Sequence, residues 1–188
     1  KPITILLRDS TEEISKQDLH LVGELIGMGL PIIIARNKID AINEDQIERL
    51  KKRTPEMMNF ARWIPTCYIS GKQGKHLDNL MKLVKKVHDF RTIKISTNSL
   101  NTTVLNAQTI SPAKFPKNKI CKIRYITQVE GHQPSFVCFV NNAEKLNFSL
   151  ARWLDNVLRR TYGFDGVPLK IDFRGKKEKE ERKAPSVD

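Results

Sequence analysis

Three polar residues follow the apolar run 31–34 with the spacing N-K-x-D: Asn37, Lys38 and Asp40. A carboxylate at Asp40 can accept two adjacent N–H donors together, and the N1–H and exocyclic N2–H₂ of guanine offer that pair. Adenine lacks both donors in that arrangement and would leave a desolvated carboxylate unpaired. Sites built to hydrogen-bond a group reject analogues that lack it by about 10⁴-fold or more. The chemistry that this spacing suits is guanine recognition.

The other residues of this stretch have matching roles. The amide of Asn37 can bond the opposite edge of the ring and nearby backbone, and the aliphatic stem of Lys38 can lie across the base while its ammonium reaches towards phosphates. About 30 residues later the sequence reads Ser70-Gly71-Lys72, which is similar to the S-A-K motif of GTPases. There the backbone N–H of Gly71 would meet the base O6. A plain strand-to-helix turn is the alternative for this glycine.

The first half of the chain alternates strand and helix patterns, and both motifs follow predicted strands. Short apolar runs predict buried strands, a capping box from Ser15 to Asp18 predicts a helix start, and periodic apolar residues predict further helices. The strands are expected at 3–7, 31–35 and 63–70, with helices at 15–26, 43–53 and 77–87. Such alternation indicates a parallel sheet covered by helices, with ligands at the carboxyl ends of its strands.

Composition shifts near residues 91–97, where we place a boundary between domains 1–93 and 94–174. The second domain has the order α-β-β-α-β, which predicts a three-stranded sheet backed by helices. Its elements are expected at 100–107, 119–129, 135–141, 148–162 and 167–173. Tyr125 and Trp153 lie on apolar stripes and are predicted to be core residues. Residues 175–188 form a charged run that predicts a disordered tail.

The chain has a formal charge of +12 and a pI near 9.7, and residues 94–188 contain 17 Lys and Arg against 9 Asp and Glu. This excess favours a polyanionic partner, nucleic acid before membrane, although solubility alone is an alternative explanation. The basic residues that could contact RNA are Lys117, Lys119, Lys122, Arg124, Lys176 and Lys177. A solvated basic face is the alternative for this set.

Other features narrow the function classes. Cys67, Cys121 and Cys138 lie in apolar stretches and predict buried thiols in a reducing cytosol. No apolar run is long enough to span a bilayer, and neither a signal peptide nor a metal-ligand spacing of His and Cys is present. The phosphate-binding pattern G-x-x-x-x-G-K-[ST] does not occur in the 188 residues. The chain by itself is therefore not expected to hydrolyse GTP.

Taken together, these stretches resemble the Der/EngA family of tandem GTPases, which are bacterial ribosome-assembly factors. ARNKID and ISGKQG match the family's last two guanine motifs, and KIRYITQV, PSFVCFVNNAEKL and ARWLDNVLRRTYGFDGVPLKIDFR match its C-terminal domain. Ile39 stands where the family usually has tryptophan, and Gly71 where it has alanine. The resemblance implies an α/β fold: part of a P-loop-type G domain, followed by a small α+β KH-like domain. The abrupt start at Lys1 is consistent with a fragment of a longer protein.

The resemblance further implies GTP or GDP and Mg²⁺ as ligands of the intact protein. It implies that the chain is the last part of the second G domain, with the P-loop and switches of that domain and the whole first G domain upstream. It implies action on the large ribosomal subunit and its RNA, a monomeric state, a cytoplasmic location and no membrane association. The alternative is a non-catalytic module that docks RNA or protein and keeps its G-domain remnant as a scaffold. The letters of Gly163 to Gly166 also fit the G-x-x-G loop of KH modules, but a turn at a helix end is the favoured interpretation.

Overall fold

The computed structural model describes residues 2–110, 121–142, 146 and 148–175. The described residues divide into two compact units. The first contains those of segments 1–94, 130–135 and 158–170, and the second contains those of segments 95–129, 136–157 and 171–188. The segments of each unit are therefore interleaved along the chain.

The first unit contains a parallel three-stranded sheet. Its strands β1 (Thr4–Asp9), β2 (Ile32–Asn37) and β3 (Thr66–Tyr68) lie in the order β1-β2-β3. The helices α1 (Lys16–Gly27), α2 (Glu44–Met57) and α3 (Leu77–Thr92) alternate with them along the chain. The register pairs Asp9 with Asn37, so the carboxyl ends of β1 and β2 coincide at one edge. This arrangement confirms the predicted parallel α/β fold.

Strand β2 is buried on both faces, which accounts for its uninterrupted apolar run. Ile32 and Ile34 face a core cluster that also contains Ile14, Val22, Met58, Ala61 and Ile64. Ile33 and Ala35 face the opposite cluster, which contains Cys67, Ile69, Val87 and Val167. The two clusters pack against both faces of β2. The residues that directly follow this strand therefore begin from a well-fixed backbone position.

Side-chain caps set the starts of α1 and α2. The hydroxyl of Ser15 accepts the Asp18 N–H at 3.2 Å while the Asp18 carboxylate accepts the Ser15 N–H at 2.8 Å, as the predicted capping box requires. Asn43 and Gln46 form the same reciprocal pair at the start of α2. Helix α2 continues beyond the predicted end at residue 53, because its last turn packs Met57 against the core.

The turn after α5 (Phe148–Tyr162) belongs to the first unit. The Gly163 N–H donates to Arg159 O at 2.9 Å and ends the helix, and Gly163 and Gly166 have φ values of 89° and 73°. The Gly166 carbonyl accepts the Ile32 N–H at 2.7 Å, which ties this turn to the start of β2. The turn interpretation of Gly163 to Gly166 is therefore confirmed.

The second unit contains a three-stranded sheet of order β4-β5-β6, which confirms the prediction for this half. It is built from α4 (Thr97–Ile110), β4 (Ile123–Val129), β5 (Ser135–Val140), the first part of α5 and β6 (Lys170–Gly175). Two amide side chains of α4 hydrogen-bond the backbone of β4 as a neighbouring strand would. Asn101 bonds the N–H and C=O of Ile126 at 3.0 and 2.9 Å, and Gln108 bonds those of Ile123, both at 3.0 Å. Helix α4 thereby provides hydrogen-bond partners for backbone N–H and C=O groups at the edge of β4.

Strand β4 departs from the strict alternation of buried and exposed residues that is typical of a strand with one covered face. Ile123 and Ile126 are buried, whereas Arg124 and Tyr125 between them are both exposed. Tyr125 is 44% exposed, so the prediction that it belongs to the core is wrong. Trp153 is half-buried on α5. Strand β4 therefore exposes both an aromatic and a basic side chain.

The three cysteines are buried and free, as predicted, and burial raises the pKa of the Cys138 thiol to about 12. Among the described residues, no helix combines the length and apolar character needed to cross a bilayer. Four of the six predicted RNA-contact residues (Lys117, Lys119, Lys176 and Lys177) lie outside the described residues, as does the predicted tail after Gly175.

Candidate nucleotide-binding site

The structure brings the two guanine motifs together at the carboxyl end of the sheet in the first unit. Asn37 ends β2, Lys38 adopts a left-handed conformation (φ 63°, ψ 37°), and Asp40 lies in the 3₁₀ turn Ile39–Ala41. Ser70, Gly71 and Lys72 follow β3. The Ile39 N–H donates to Ile69 O at 3.2 Å, so the backbones that lead into the two motifs are joined directly.

Two side-chain hydrogen bonds link one motif to the other. The Asn37 Oδ1 accepts the Gly71 N–H at 2.8 Å, and the buried Ser70 hydroxyl donates to Asp40 Oδ1. The same hydroxyl accepts the Gln73 N–H at 3.1 Å, which fixes its orientation. Residues that are 30 or more positions apart therefore form one polar cluster.

The surroundings of the Asp40 carboxylate favour its ionised form, which is a hydrogen-bond acceptor. Its side chain is exposed, and the hydrogen bond from Ser70 keeps its pKa below the ordinary value, with a smaller contribution from the charges of Lys72 and Lys75. An ionised carboxylate accepts two N–H donors more strongly than a neutral acid does. Lys72 contributes to the site through its charge on Asp40.

The Gly71 N–H donates to the amide oxygen of Asn37 within the protein. Its contact with the O6 atom of guanine stays a prediction. A guanine O6 at this position would share the N–H with Asn37 or displace the Asn37 amide. An added Cβ on Gly71 would lie 3.4 Å from Asn37 Oδ1, which is close to an ordinary contact distance.

Lys38 makes an ion pair that the sequence did not reveal. Its Nζ lies 2.6 Å from Asp9 Oδ2, and Asp9 Oδ1 accepts the N–H and hydroxyl of Thr11 at 2.9 and 2.8 Å. The hydrogen bond from Lys38 is the main cause that holds the pKa of Asp9 far below its ordinary range, and the two bonds from Thr11 lower this pKa further. Asp9 could have been found from the sequence, because it ends an apolar strand that is expected to lie parallel to β2.

The predicted RNA-contact residues within the described ranges are Lys122 and Arg124, and both are exposed in the second unit. The ring of Tyr125 lies 5.9 Å from that of Phe139, centroid to centroid, and Phe139 is 40% exposed. Phe139 was missed because it lies in the apolar run of β5, where every residue looked like core. The second unit therefore carries a pair of exposed aromatic rings, and Arg124 is exposed on the same strand as Tyr125.

The sheet edge carries an exposed carboxylate, Asp40, next to the amide of Asn37 and the Gly71 N–H. Mg²⁺ is different: within the ranges described here, no group of three or more His, Cys, Asp or Glu side chains could hold a metal ion. A metal that accompanies a nucleotide phosphate would therefore need ligands other than these side chains.

Comparison with known proteins identifies relatives of both halves of the chain. Residues 94–174 match the model of the KH-domain-like C-terminal region of EngA bacterial GTPase enzymes. The GTPase Der of Finegoldia magna is 34% identical over 174 residues, which are 92% of this chain and 40% of that protein. The GTPase Der of Caldicellulosiruptor saccharolyticus is 36% identical over 180 residues, with shares of 95% and 41%. The chain belongs to the Der/EngA family.

The chain spans about two-fifths of the length of these Der/EngA relatives. A solved structure of Era from Aquifex aeolicus bound to GDP and AlF₄⁻ aligns with a TM-score of 0.39 and 17% identity, over 92% of this chain and 64% of that one. That likeness is too low to support an argument about function. The Der/EngA membership depends on the sequence matches, which cover both the guanine motifs and the KH-like region.

Proposed function

We propose that this chain supplies the guanine-reading half of a GTP-binding site in a longer Der/EngA GTPase. The observation that carries the proposal is the pair of bonds between the motifs, Asn37 to Gly71 and Ser70 to Asp40. A sheet remnant kept only as scaffold would have no need to hold an exposed carboxylate by a buried hydroxyl. Preorganisation of this kind lowers the cost of ordering the site when a ligand binds.

In this proposal the Asp40 carboxylate accepts the N1–H and N2–H₂ donors of the base. Asn37 and the Gly71 N–H face its opposite edge, and the stem of Lys38 covers one face of the ring. Selectivity for guanine over adenine follows, because adenine would leave the carboxylate unpaired. The Lys38 ammonium either keeps its bond to Asp9 or exchanges it for a phosphate oxygen.

The phosphate-binding and Mg²⁺-binding parts are proposed to come from the upstream part of the same G domain in the longer protein. The open edge of the sheet supports this: β1 has a partner on one side only among the described strands, and its Ile5 and Leu7 are 42% and 57% exposed. An apolar edge strand of this kind is a template for pairing with another strand. Hydrolysis of GTP would be a property of the longer protein and would be absent from the 188 residues alone.

The wider role follows from family membership. We propose that the intact protein is a cytoplasmic, monomeric factor that acts in assembly of the large ribosomal subunit and contacts its RNA. The proposed RNA contacts on this chain are Lys122 and Arg124, together with the four predicted lysines outside the described residues.

A single substitution in the full-length protein tests the guanine site. Asp40→Asn should lower GDP affinity by about 100-fold or more, because a charged acceptor of two hydrogen bonds is lost. Affinity for xanthosine diphosphate should rise, since its C2 carbonyl can accept a bond from the new amide. Binding is measured by calorimetry, with ADP as the comparison nucleotide and Asp45→Asn, on the first turn of α2, as the matched control. Equal affinity of the unmodified protein for GDP and ADP would overturn the proposal.

A docking role for the second unit is a second candidate function. The exposed Tyr125–Phe139 ring pair favours it, together with the exposed Arg124 on the same strand as Tyr125, because bases stack on aromatic rings and basic residues contact phosphates. This role is compatible with the guanine site. It would be the whole function of the chain only if the guanine site failed the test above.

A further inference from the structure

Arg36 is a buried cation without a carboxylate partner. Arg36 is fully buried near the end of β2, and its Nη2 donates to the backbone oxygen of Glu12 at 2.6 Å. Its Nε and Nη1 atoms are buried and have no hydrogen-bond partner among the described residues. No acidic side chain in the same ranges lies within 4 Å of its guanidinium nitrogens. A buried, uncompensated charge is costly to a fold.

The acids near Arg36 are engaged by other arginines. Arg8 lies beside Arg36 in the register of β1 and β2, and its Nη2 is 3.1 Å from Asp18 Oδ2 and 3.5 Å from Glu12 Oε2. The carboxylate of Glu13 is paired with Arg53. Burial, followed by the charge of Arg8, lowers the pKa of Arg36, although an arginine stays protonated. Asp9 and Asp18 also act on the Arg36 charge, but only at a distance, because Asp9 is paired with Lys38 and Asp18 with Arg8.

A cavity of about 430 Å³ opens beside Arg36. It lies between residues 10–14 and helix α2, and its lining includes Arg49, Gln46 and Ser10. The Ser10 hydroxyl is also buried without a partner among the described residues. The volume falls within the range of small-molecule pockets. None of the six predicted guanine-binding residues lines this cavity, so it is separate from the nucleotide site.

We propose that this cavity binds a small molecule that carries a phosphate or carboxylate group, with the Arg36 guanidinium and the Ser10 hydroxyl as its buried donors. An oxyanion would supply the missing counter-charge and accept hydrogen bonds from groups that otherwise have none. Arg49 at the wall of the cavity adds a further positive charge, and the Glu12 and Glu13 carboxylates that also line it are paired with Arg8 and Arg53. An arginine suits this role because its charge persists when it is buried.

The competing explanation is that Arg36 serves only as a strut, because its bond to Glu12 O ties residues 10–14 to β2. Titration of the 188-residue chain with inorganic phosphate or acetate at constant ionic strength distinguishes the two explanations. Calorimetry and amide NMR shifts of residues 10–14 are the readouts. We expect saturable binding of one anion with a Kd on the order of 1 mM or tighter. The anion that binds identifies the group as phosphate or carboxylate.

Variants then locate the binding. Arg36→Gln should weaken it by about tenfold or more, and Ser10→Ala should weaken it several-fold, by loss of a donor. Lys85→Gln, which removes one exposed charge on α3, should leave it unchanged. If Arg36→Gln does not fold, Ser10→Ala and Arg49→Gln carry the test. Absence of saturable binding to either anion, or binding that survives Ser10→Ala and Arg49→Gln, would overturn the proposal and leave Arg36 as a strut.

Discussion

The ammonium nitrogen of Lys38 lies 2.6 Å from the Asp9 carboxylate, and this ion pair joins the ends of the parallel strands β1 and β2. Lys38 belongs to the guanine motif, whereas Asp9 begins the loop that leads to α1. The left-handed backbone of Lys38 turns its side chain in this direction. The pair is therefore a physical link between the base-reading turn and residues 10–14.

Asp9→Asn is expected to lower the thermal stability of the chain at pH 7. The folded pKa of Asp9 lies below its ordinary value of 3.8, so its contribution is present above about pH 4 and is lost as the pH falls through the folded pKa. The stability difference between the variant and the unmodified chain should therefore shrink at acidic pH. Thermal unfolding at pH 7 and at about pH 3 measures it. A difference that grew on acidification would contradict this account.

A matched control for that variant is Asp165→Asn. This carboxylate also pairs with a lysine, Lys86, at 2.9 Å, but both side chains are about half exposed. An exposed ion pair contributes roughly 0–1 kcal/mol. Its loss should change the midpoint of unfolding little.

Ser70→Ala should weaken GDP binding by the full-length protein about tenfold. The substitution removes the donor to Asp40 Oδ1 and the acceptor of the Gln73 N–H. The carboxylate then loses its fixed orientation, and the main cause of its lowered pKa disappears. Calorimetric titration with GDP measures the effect, and Ser70→Thr, which keeps the hydroxyl, is the control. Unchanged GDP affinity in Ser70→Ala would show that Asp40 does not need the hydrogen bond from Ser70 to bind the nucleotide.

Two glycine substitutions should differ sharply in stability. Gly71→Ala is expected to be nearly neutral, because Gly71 is not in the left-handed region and its new Cβ would lie 3.4 Å from Asn37 Oδ1. Gly166→Ala should destabilise by about 1–3 kcal/mol, because φ is 73° and the Cβ would lie 2.9 Å from Ile32 O. Urea denaturation of both variants measures the difference. Equal stabilities would contradict the described packing of Gly166 against β2.

Asn101→Asp is nearly isosteric but should destabilise the second unit by about 2 kcal/mol. The Asn101 amide nitrogen donates to Thr97 O at 2.7 Å and to Ile126 O at 2.9 Å, and a carboxylate cannot donate to either. Hydrogen exchange at β4 measures the loss locally, with Asn156→Asp on the exposed face of α5 as the control. Unchanged protection of Ile126 would mean that α4 does not cover this strand.

Arg124→Gln and Tyr125→Ala should both weaken binding of a single-stranded RNA oligonucleotide. The first variant should reduce the slope of log affinity against log salt by about one phosphate contact. The second should lower affinity by roughly tenfold without a change in slope, because stacking is lost. Fluorescence anisotropy at several salt concentrations measures both effects, with Lys85→Gln as the control. A flat salt response of the unmodified chain would rule out these contacts.

Patterns that follow local chemistry were predictable from sequence. The Ser15–Asp18 capping box and the helix from residue 148 to 162 depend on neighbours within a few positions, and both occur as expected. The exposure of Tyr125 was not predictable in this way. Strict alternation would bury it with Ile123, but the burial pattern of β4 breaks between Arg124 and Tyr125.

The sequence by itself determined the two guanine motifs, their order and their positions after parallel strands, because residue types and hydrophobic periodicity encode these directly. Only the tertiary structure decided which groups meet: Asp9 with Lys38, Gly71 with Asn37, and Arg36 with no acid within ion-pair distance among the described residues. Such pairings depend on strand register and on side-chain rotamers in a packed core. Those are properties of contacts between distant segments, and no local pattern specifies them.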